Sequence, residues 1–262
     1  MILIISILII GCLILTLQFS IFIPATKGLP ILMYHKVSAD WNDNLTISVK
    51  KLEKHFMYLS SHGYTCLPIS KLLEKDQSLK PGKVFSLTFD DAYVNNLNYL
   101  YPLLEKYNFH CTIMLPVGFL GKTNIWDKGN EPIMNFEQLL SMDSHFVSYG
   151  LHSYKHESLL NMSSSEVATD ITTCMHELSL KGIAYLPVLA YPYGAYPRDR
   201  VNKAAFAILL ENLGIIYGLR IGNRVNKWPV KNRYEVKRID IKGKDSLWKF
   251  KTKLQKGRVK MF

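Results

Sequence analysis

Cysteine is scarce in this chain and never paired in a C-x-x-C motif. Its four cysteines, Cys12, Cys66, Cys111 and Cys174, offer no cysteine zinc site. Cys66 and Cys111 sit in apolar, strand-like contexts and read as buried thiols. No internal repeat or low-complexity stretch is present. The net charge of +11 is spread along the chain and is not gathered in a basic arm, which argues against a nucleic-acid partner while favouring anionic surroundings. Charge is missing altogether between Met1 and Ile23.

That uncharged run is long enough to cross a bilayer, which takes roughly 20 residues. It has no basic start and outruns the apolar core of a typical signal peptide, so an uncleaved transmembrane anchor over 1–23 is expected. A cleaved signal or a lipoprotein stays open, since Ile9-Ile10-Gly11-Cys12 resembles a lipoprotein cleavage box, and a buried core helix is the remaining alternative. Residues 24–30 read as a linker and 31–262 as one catalytic domain, with ample apolar material for a core.

Strand and helix patterns alternate through that domain. Ile31–Tyr34, Lys83–Thr88, His110–Leu115, Phe146–Tyr149, Leu186–Tyr191, Ile215–Arg220 and Lys237–Ile241 read as strands. Helical periodicity appears over Ser48–His62, Asn95–Tyr107, Asn135–Met142, Val201–Leu213 and from Ser246 onward, with Pro102 expected to perturb the second of these. Ser163 and Glu166 form a capping box that opens a helix ending near Gly182. The alternation implies a parallel α/β sheet, closed or open, with its ligand site beyond the carboxyl ends of the strands. His35, Asp90, Asp91, His152 and Tyr193 all fall at such ends.

Thr88-Phe89-Asp90-Asp91 places two adjacent carboxylates after an apolar strand. Neighbouring side chains on extended backbone diverge, so one could hold a metal while the other reaches a water; a helix N-cap is the plainer reading. His152 and His156, spaced H-x-x-x-H, are expected on one face of a helical turn, where two imidazoles suit zinc, although two unrelated surface histidines would share the spacing. Two histidines and a carboxylate form a facial triad with open positions. Tyr191-Pro192-Tyr193-Gly194 is a rigid turn that could aim a backbone N–H, or simply a loop. Met33-Tyr34-His35 adds a histidine that could equally be structural.

In this combination and order the four elements resemble the polysaccharide deacetylases, carbohydrate esterase family 4 (the NodB homology domain), over roughly Ile31 to Ile241. The resemblance implies a distorted (β/α)7 barrel, here preceded by one N-terminal transmembrane helix. It implies a divalent metal, zinc first with cobalt, nickel or iron as alternatives, held by Asp91, His152 and His156. Asp90 would be the catalytic base and the Tyr193 N–H an oxyanion donor. The early Met-Tyr-His is similar to the branch that deacetylates biofilm poly-β-1,6-N-acetylglucosamine, in which the early histidine is the general acid, here His35. No histidine follows His176, so a late acid histidine is missing. The arginine that many members carry before the Pro-Tyr pair is also missing, the positions being Val188, Leu189 and Ala190; Arg238 could replace it, or could lie on the surface.

The expected activity is hydrolysis of N-acetyl groups on the N-acetylglucosamine units of a cell-surface or extracellular polysaccharide, by an extracytoplasmic, membrane-anchored monomer, with a cytoplasmic domain acting on a lipid-linked sugar as the alternative topology. The rivals are a peptidoglycan, chitin-type or O-acetyl deacetylase of the same fold, a catalytically inactive glycan-binding module, and a basic membrane-peripheral adaptor.

Overall fold

The computed structural model describes residues 5–6, 25–74, 82–127 and 129–259. The anchor expected over 1–23 lies outside these, apart from residues 5 and 6. Among the described residues no helix is long and apolar enough to cross a membrane.

Seven parallel strands make the barrel: β1 (Ile31–Tyr34), β5 (Val84–Asp90), β6 (Cys111–Leu115), β7 (Val147–Leu151), β8 (Val188–Ala190), β9 (Tyr217–Ile221) and β10 (Val236–Asp240). Each pairs with the next, and β1 pairs with both β5 and β10, which closes the ring. Three short strands went unanticipated. β2 (Lys36–Ser38) and β3 (Thr46–Ser48) form a separate pair, and β4 (Thr65–Cys66) flanks β5. All three are too short for a period-two pattern to show.

The strand residues alternate between two apolar layers. Ile31, Met114, Val188, Ala190, Leu219 and Val236 gather with Ile69 and Leu72 in one cluster, the barrel interior and its plug. Leu32, Tyr34, Leu87, Phe89, Ile113, Leu115 and Ile239 belong to the other, which the helices cover. Helix α1 (Val49–Ser61) shows how: Leu52, His55, Phe56 and Leu59 form its buried stripe. Burying each such apolar side chain contributes about 1.5–3 kcal/mol.

The segment predicted as one helix from Asn95 splits. Asn96–Leu100 is a wider π-helical turn, and α2 (Tyr101–Tyr107) follows with Pro102 in its first turn. The backbone stays right-handed helical across the junction, and the Tyr101 N–H reaches back five residues to Asn96 O directly before the proline, which has no N–H to donate, so the expected perturbation by Pro102 takes the form of this widened turn. The remaining helices are α3 (Phe136–Leu140), α4 (Ser164–Leu180, capped by the Ser163–Glu166 box), α5 (Arg200–Asn212) and α6 (Leu247–Lys256). The expected linker is docked at two points: Leu29 exchanges backbone hydrogen bonds with Asn226, and the Thr26 N–H reaches Gln255 O. The barrel is weakest between β7 and β8, where only Leu151 opposite Leu189 is in register.

Candidate active site

The site is assembled where the strands end. β5 delivers Asp90 and then Asp91. At Asp91 the backbone turns to φ 74°, and at Ala92 to 53°, which breaks the divergence expected of neighbours on an extended strand. Both carboxylates therefore face one imidazole: His152 Nε2 is 3.8 Å from Asp90 Oδ2 and 3.5 Å from Asp91 Oδ1. His156 Nε2 is 3.1 Å from the same Asp91 oxygen.

The two histidines do not share a helical turn. The segment after β7 is a loop with Ser153 at φ 64° and His156 at 54°, and these reversals bring the two rings to 4.9 Å between centroids. The spacing was informative although the helix behind it is absent. His152 emerges at the weak β7–β8 seam, and its Nδ1 bonds Ala190 O at 2.8 Å. A carbonyl only accepts, so Nδ1 carries the proton and the Nε2 lone pair is left toward Asp91.

Arg238, in the middle of β10, is 1% exposed and crosses to Asp90 with two hydrogen bonds, 2.5 Å to Oδ1 and 2.8 Å to Oδ2. It is thus an interior group and not a surface arginine. Burial acts to raise the Asp90 carboxyl, but Arg238, then His152 and His35, hold it below the usual carboxylate range. Asp91 is likewise held well down against burial, by His156 first. Burial pushes His152 down to about 4, against the pull of Asp90. His35, at the end of β1, places Nε2 3.9 Å from Asp90 Oδ2. Its side chain is 16% exposed, against 3% for the carboxylate.

Tyr193 sits at φ 58° in the turn after β8, and its ring packs edge-on to His156 at 5.2 Å. The turn uses the Gly194 and Ala195 N–H groups internally, bonding Tyr191 O and Pro192 O.

Several contributors carried no signal in sequence. Trp126 stacks on His156 at 3.9 Å and donates its Nε1–H to Asp91 Oδ2 at 3.3 Å. Asn96 holds His35 O at 2.9 Å, and Asn95 accepts the Val37 N–H at 3.0 Å. The ion pair between buried Lys36 and half-buried Asp127, 2.8 Å apart, ties the residue after His35 to the residue after Trp126. A lone tryptophan or a pair of asparagines in a loop shows no period. Only their place just after the Asp pair could have suggested Asn95 and Asn96.

Asp91, His152 and His156 offer three ligand atoms within 4.8 Å of one another, all buried. Asp91 Oδ1 is buried without a hydrogen-bond donor, while two imidazole nitrogens face it. Ligands about 2.0–2.1 Å from one tetrahedral ion stand roughly 3.4 Å apart, close to the separations found. A small divalent cation fits these residues, and imidazole with carboxylate suits zinc, cobalt, nickel or iron.

The sequence-family model for polysaccharide deacetylases matches residues 77–208, half of the chain. The Bacillus subtilis (strain 168) protein YxkH, whose name assigns it provisionally to the polysaccharide deacetylases, is 29% identical over 178 residues. That match covers 67% of this chain and 60% of YxkH. The poly-β-1,6-N-acetyl-D-glucosamine N-deacetylase of Staphylococcus epidermidis is 24% identical over 206 residues, 75% of this chain and 68% of that protein. Among solved structures, IcaB from Ammonifex degensii superimposes with a TM-score of 0.72 at 20% identity, covering 88% of this chain and 98% of that one. The Streptococcus pyogenes deacetylase PplD gives 0.70 at 22%, covering 88% and 99%. At those identities the two structures establish a shared fold.

Proposed function

Because the chain belongs to the polysaccharide deacetylase family, we propose that it is a metal-dependent hydrolase. It removes N-acetyl groups from the N-acetylglucosamine units of a cell-surface or extracellular polysaccharide, a biofilm poly-N-acetylglucosamine in kind, and releases acetate. One observation carries the reading. A buried carboxylate oxygen without a donor, Asp91 Oδ1, faces two imidazole nitrogens, next to a second carboxylate held ionised by a buried arginine.

Asp91, His152 and His156 hold the cation, zinc in the first instance, which when bound supplies a Lewis acid that polarises the acetyl carbonyl and eases loss of a proton from water. Asp90 takes that proton as the water attacks. Arg238 keeps Asp90 charged and fixes both of its oxygens, which leaves the carboxylate a single orientation in which to act. The Tyr193 N–H, in the turn beside His156, donates to the developing oxyanion; losing one such donor costs about 10²–10³ in rate. His35, on the solvent side of Asp90, gives a proton to the departing sugar nitrogen, because an amine leaves poorly without one. The product amine is protonated at neutral pH, so the polymer becomes cationic. We place the domain outside the cytoplasm, tethered by residues 1–23, as a monomer.

The test is to incubate the full-length chain with poly-N-acetylglucosamine and measure acetate and free amine together. Equal release of both, abolished by a chelator and restored by zinc, is the expected result. Acetate without amine, from an O-acetylated glycan, selects the esterase of the same fold. Binding of glycan with no acetate from any substrate selects the inactive module and ends the reading.

A further inference from the structure

The loop from His152 to His156 is bonded on both sides by residues outside the cluster. The Val117 and Gly118 N–H groups, in the turn after β6, donate to Ser153 O at 3.2 Å and Tyr154 O at 3.0 Å. From the other side, the Tyr154 and Lys155 N–H groups donate to the two oxygens of one carboxylate, Asp170, at 2.8 and 3.1 Å. The approach on the first side requires glycine: a Cβ on Gly118 would meet Tyr154 O at 2.6 Å. On the second side the support is helix α4. One helical face presents Asp170 to the loop backbone and, two turns on, Glu177 to the Tyr154 hydroxyl at 2.9 Å.

Asp170 is out of place by any ordinary rule. It is 6% exposed and lies within the buried stripe of Val167, Ile171, Cys174 and Leu178. Burial pushes its carboxyl up, and the Tyr154 and Lys155 N–H groups pull the other way. A carboxylate in such a stripe is costly unless hydrogen-bonded, and the groups it bonds lie between two residues, Ser153 and His156, that sit at positive φ. Conformations of that kind persist only where the surroundings over-determine them.

We propose that Asp170 is the positioning residue of the cation site: by clamping the Tyr154 and Lys155 peptides it holds the loop in the reversed conformation that presents His156 beside His152. The affinity of the site for a divalent ion is therefore set from helix α4, through a residue that touches neither ion nor substrate. This rests on the cation reading of Asp91, His152 and His156.

The experiment compares the full-length wild type with Asp170→Asn, which keeps the side-chain size but replaces one of the two acceptor oxygens with a donor. Both are stripped of metal and titrated with Zn²⁺ against a chromophoric chelator, and with Co²⁺ by its visible absorption. Losing a hydrogen-bonding group that orients a metal ligand typically costs about 10–100-fold in affinity, and a loss up to that range is expected for the variant. A changed Co²⁺ band shape and recovery of deacetylation at excess Zn²⁺ should accompany it. A role in general stability alone would move neither the band shape nor the metal dependence. Equal Zn²⁺ affinity in variant and wild type overturns the proposal while leaving the cation reading intact. A wild type that binds no divalent ion overturns both. If circular dichroism shows that Asp170→Asn does not fold, Gly118→Ala decides, since it presses on the same peptides from the opposite side: weakened Zn²⁺ binding supports the clamp, and unchanged binding overturns it.

Discussion

Replacing Arg238 by methionine is the sharpest perturbation the structure offers. Arg238 and Asp90 are 1% and 2% exposed, and two hydrogen bonds join the guanidinium to both carboxylate oxygens. Methionine fills similar volume but leaves the carboxylate buried without its main partner. Breaking one side of a buried pair costs about 3–5 kcal/mol, mostly the penalty of the stranded charge. A domain of this size has a total stability on the order of 10–15 kcal/mol, so the variant should still fold, with a clearly lowered urea midpoint at unchanged slope. The same argument fixes the double variant. Asp90→Asn removes the charge that Arg238→Met strands, so the pair of changes together should cost less than the sum of the two by well over ~1 kcal/mol. Urea unfolding of the wild type, both single variants and the double variant closes the cycle. Additivity within about 0.5 kcal/mol, the range typical of independent sites, would refute the idea that Arg238 exists to compensate Asp90.

The other predictions probe the separate roles. Asp90→Asn should lower kcat by about 10²–10⁴, the usual worth of a positioned base, while its metal content stays at the wild-type level; loss of metal would make Asp90 a ligand instead. His35→Gln should lose a similar factor on N-acetylglucosamine polymers but much less on an activated acetate ester such as p-nitrophenyl acetate, whose leaving group needs no proton, and equal losses on both would remove His35 from the acid role. His55 gives a pH dependence remote from the site. It is buried in α1, stacked on Phe250 at 3.8 Å, and burial pushes it down to about 3. The unfolded chain, with an ordinary histidine near 6.5, binds that proton first, so the stability His55 allows is complete above about 6.5 and falls by about 1.4 kcal/mol per unit below it, down to about 3. Between pH 7 and 5 the wild type should therefore lose about 2 kcal/mol more than His55→Phe in urea melts; parallel pH slopes would show that His55 titrates normally in the fold.

Much of this architecture is legible from alternation and from strand-end residues. β5 runs two residues beyond the predicted Lys83–Thr88, and those two are Phe89 and Asp90, the last of them the site carboxylate. β10 is legible too, yet the importance of Arg238 is not. Its neighbours Lys237 and Asp240 give the strand a polar look that fits a surface edge as well as a barrel wall, and only closure of β10 onto β1 turns residue 238 inward toward Asp90. For residues 1–23 the sequence offers an uncharged run and from it only the expectation of an anchor, since apart from residues 5 and 6 they lie outside the described residues.

Backbone reversal explains why the rest was hidden. Among the described residues seven non-glycine positions have positive φ, and five of them, Asp91, Ala92, Ser153, His156 and Tyr193, belong to the site. Sequence patterns report relaxed backbone: a helical H-x-x-x-H, or a strand whose neighbouring side chains diverge. The site departs from both at the same places, at a cost on the order of 1–3 kcal/mol per residue. That cost is offset by groups whose own sequence positions look ordinary, among them Gly118, Trp126 and Asp170. A substitution that relaxes one reversal, such as Ser153→Gly, should therefore leave the fold at least as stable while loosening the placement of His156. Urea melts and Zn²⁺ titration of that variant separate the two effects: a fall in stability with unchanged zinc affinity would mean that the reversal at Ser153 is not strained and does not position the ligand.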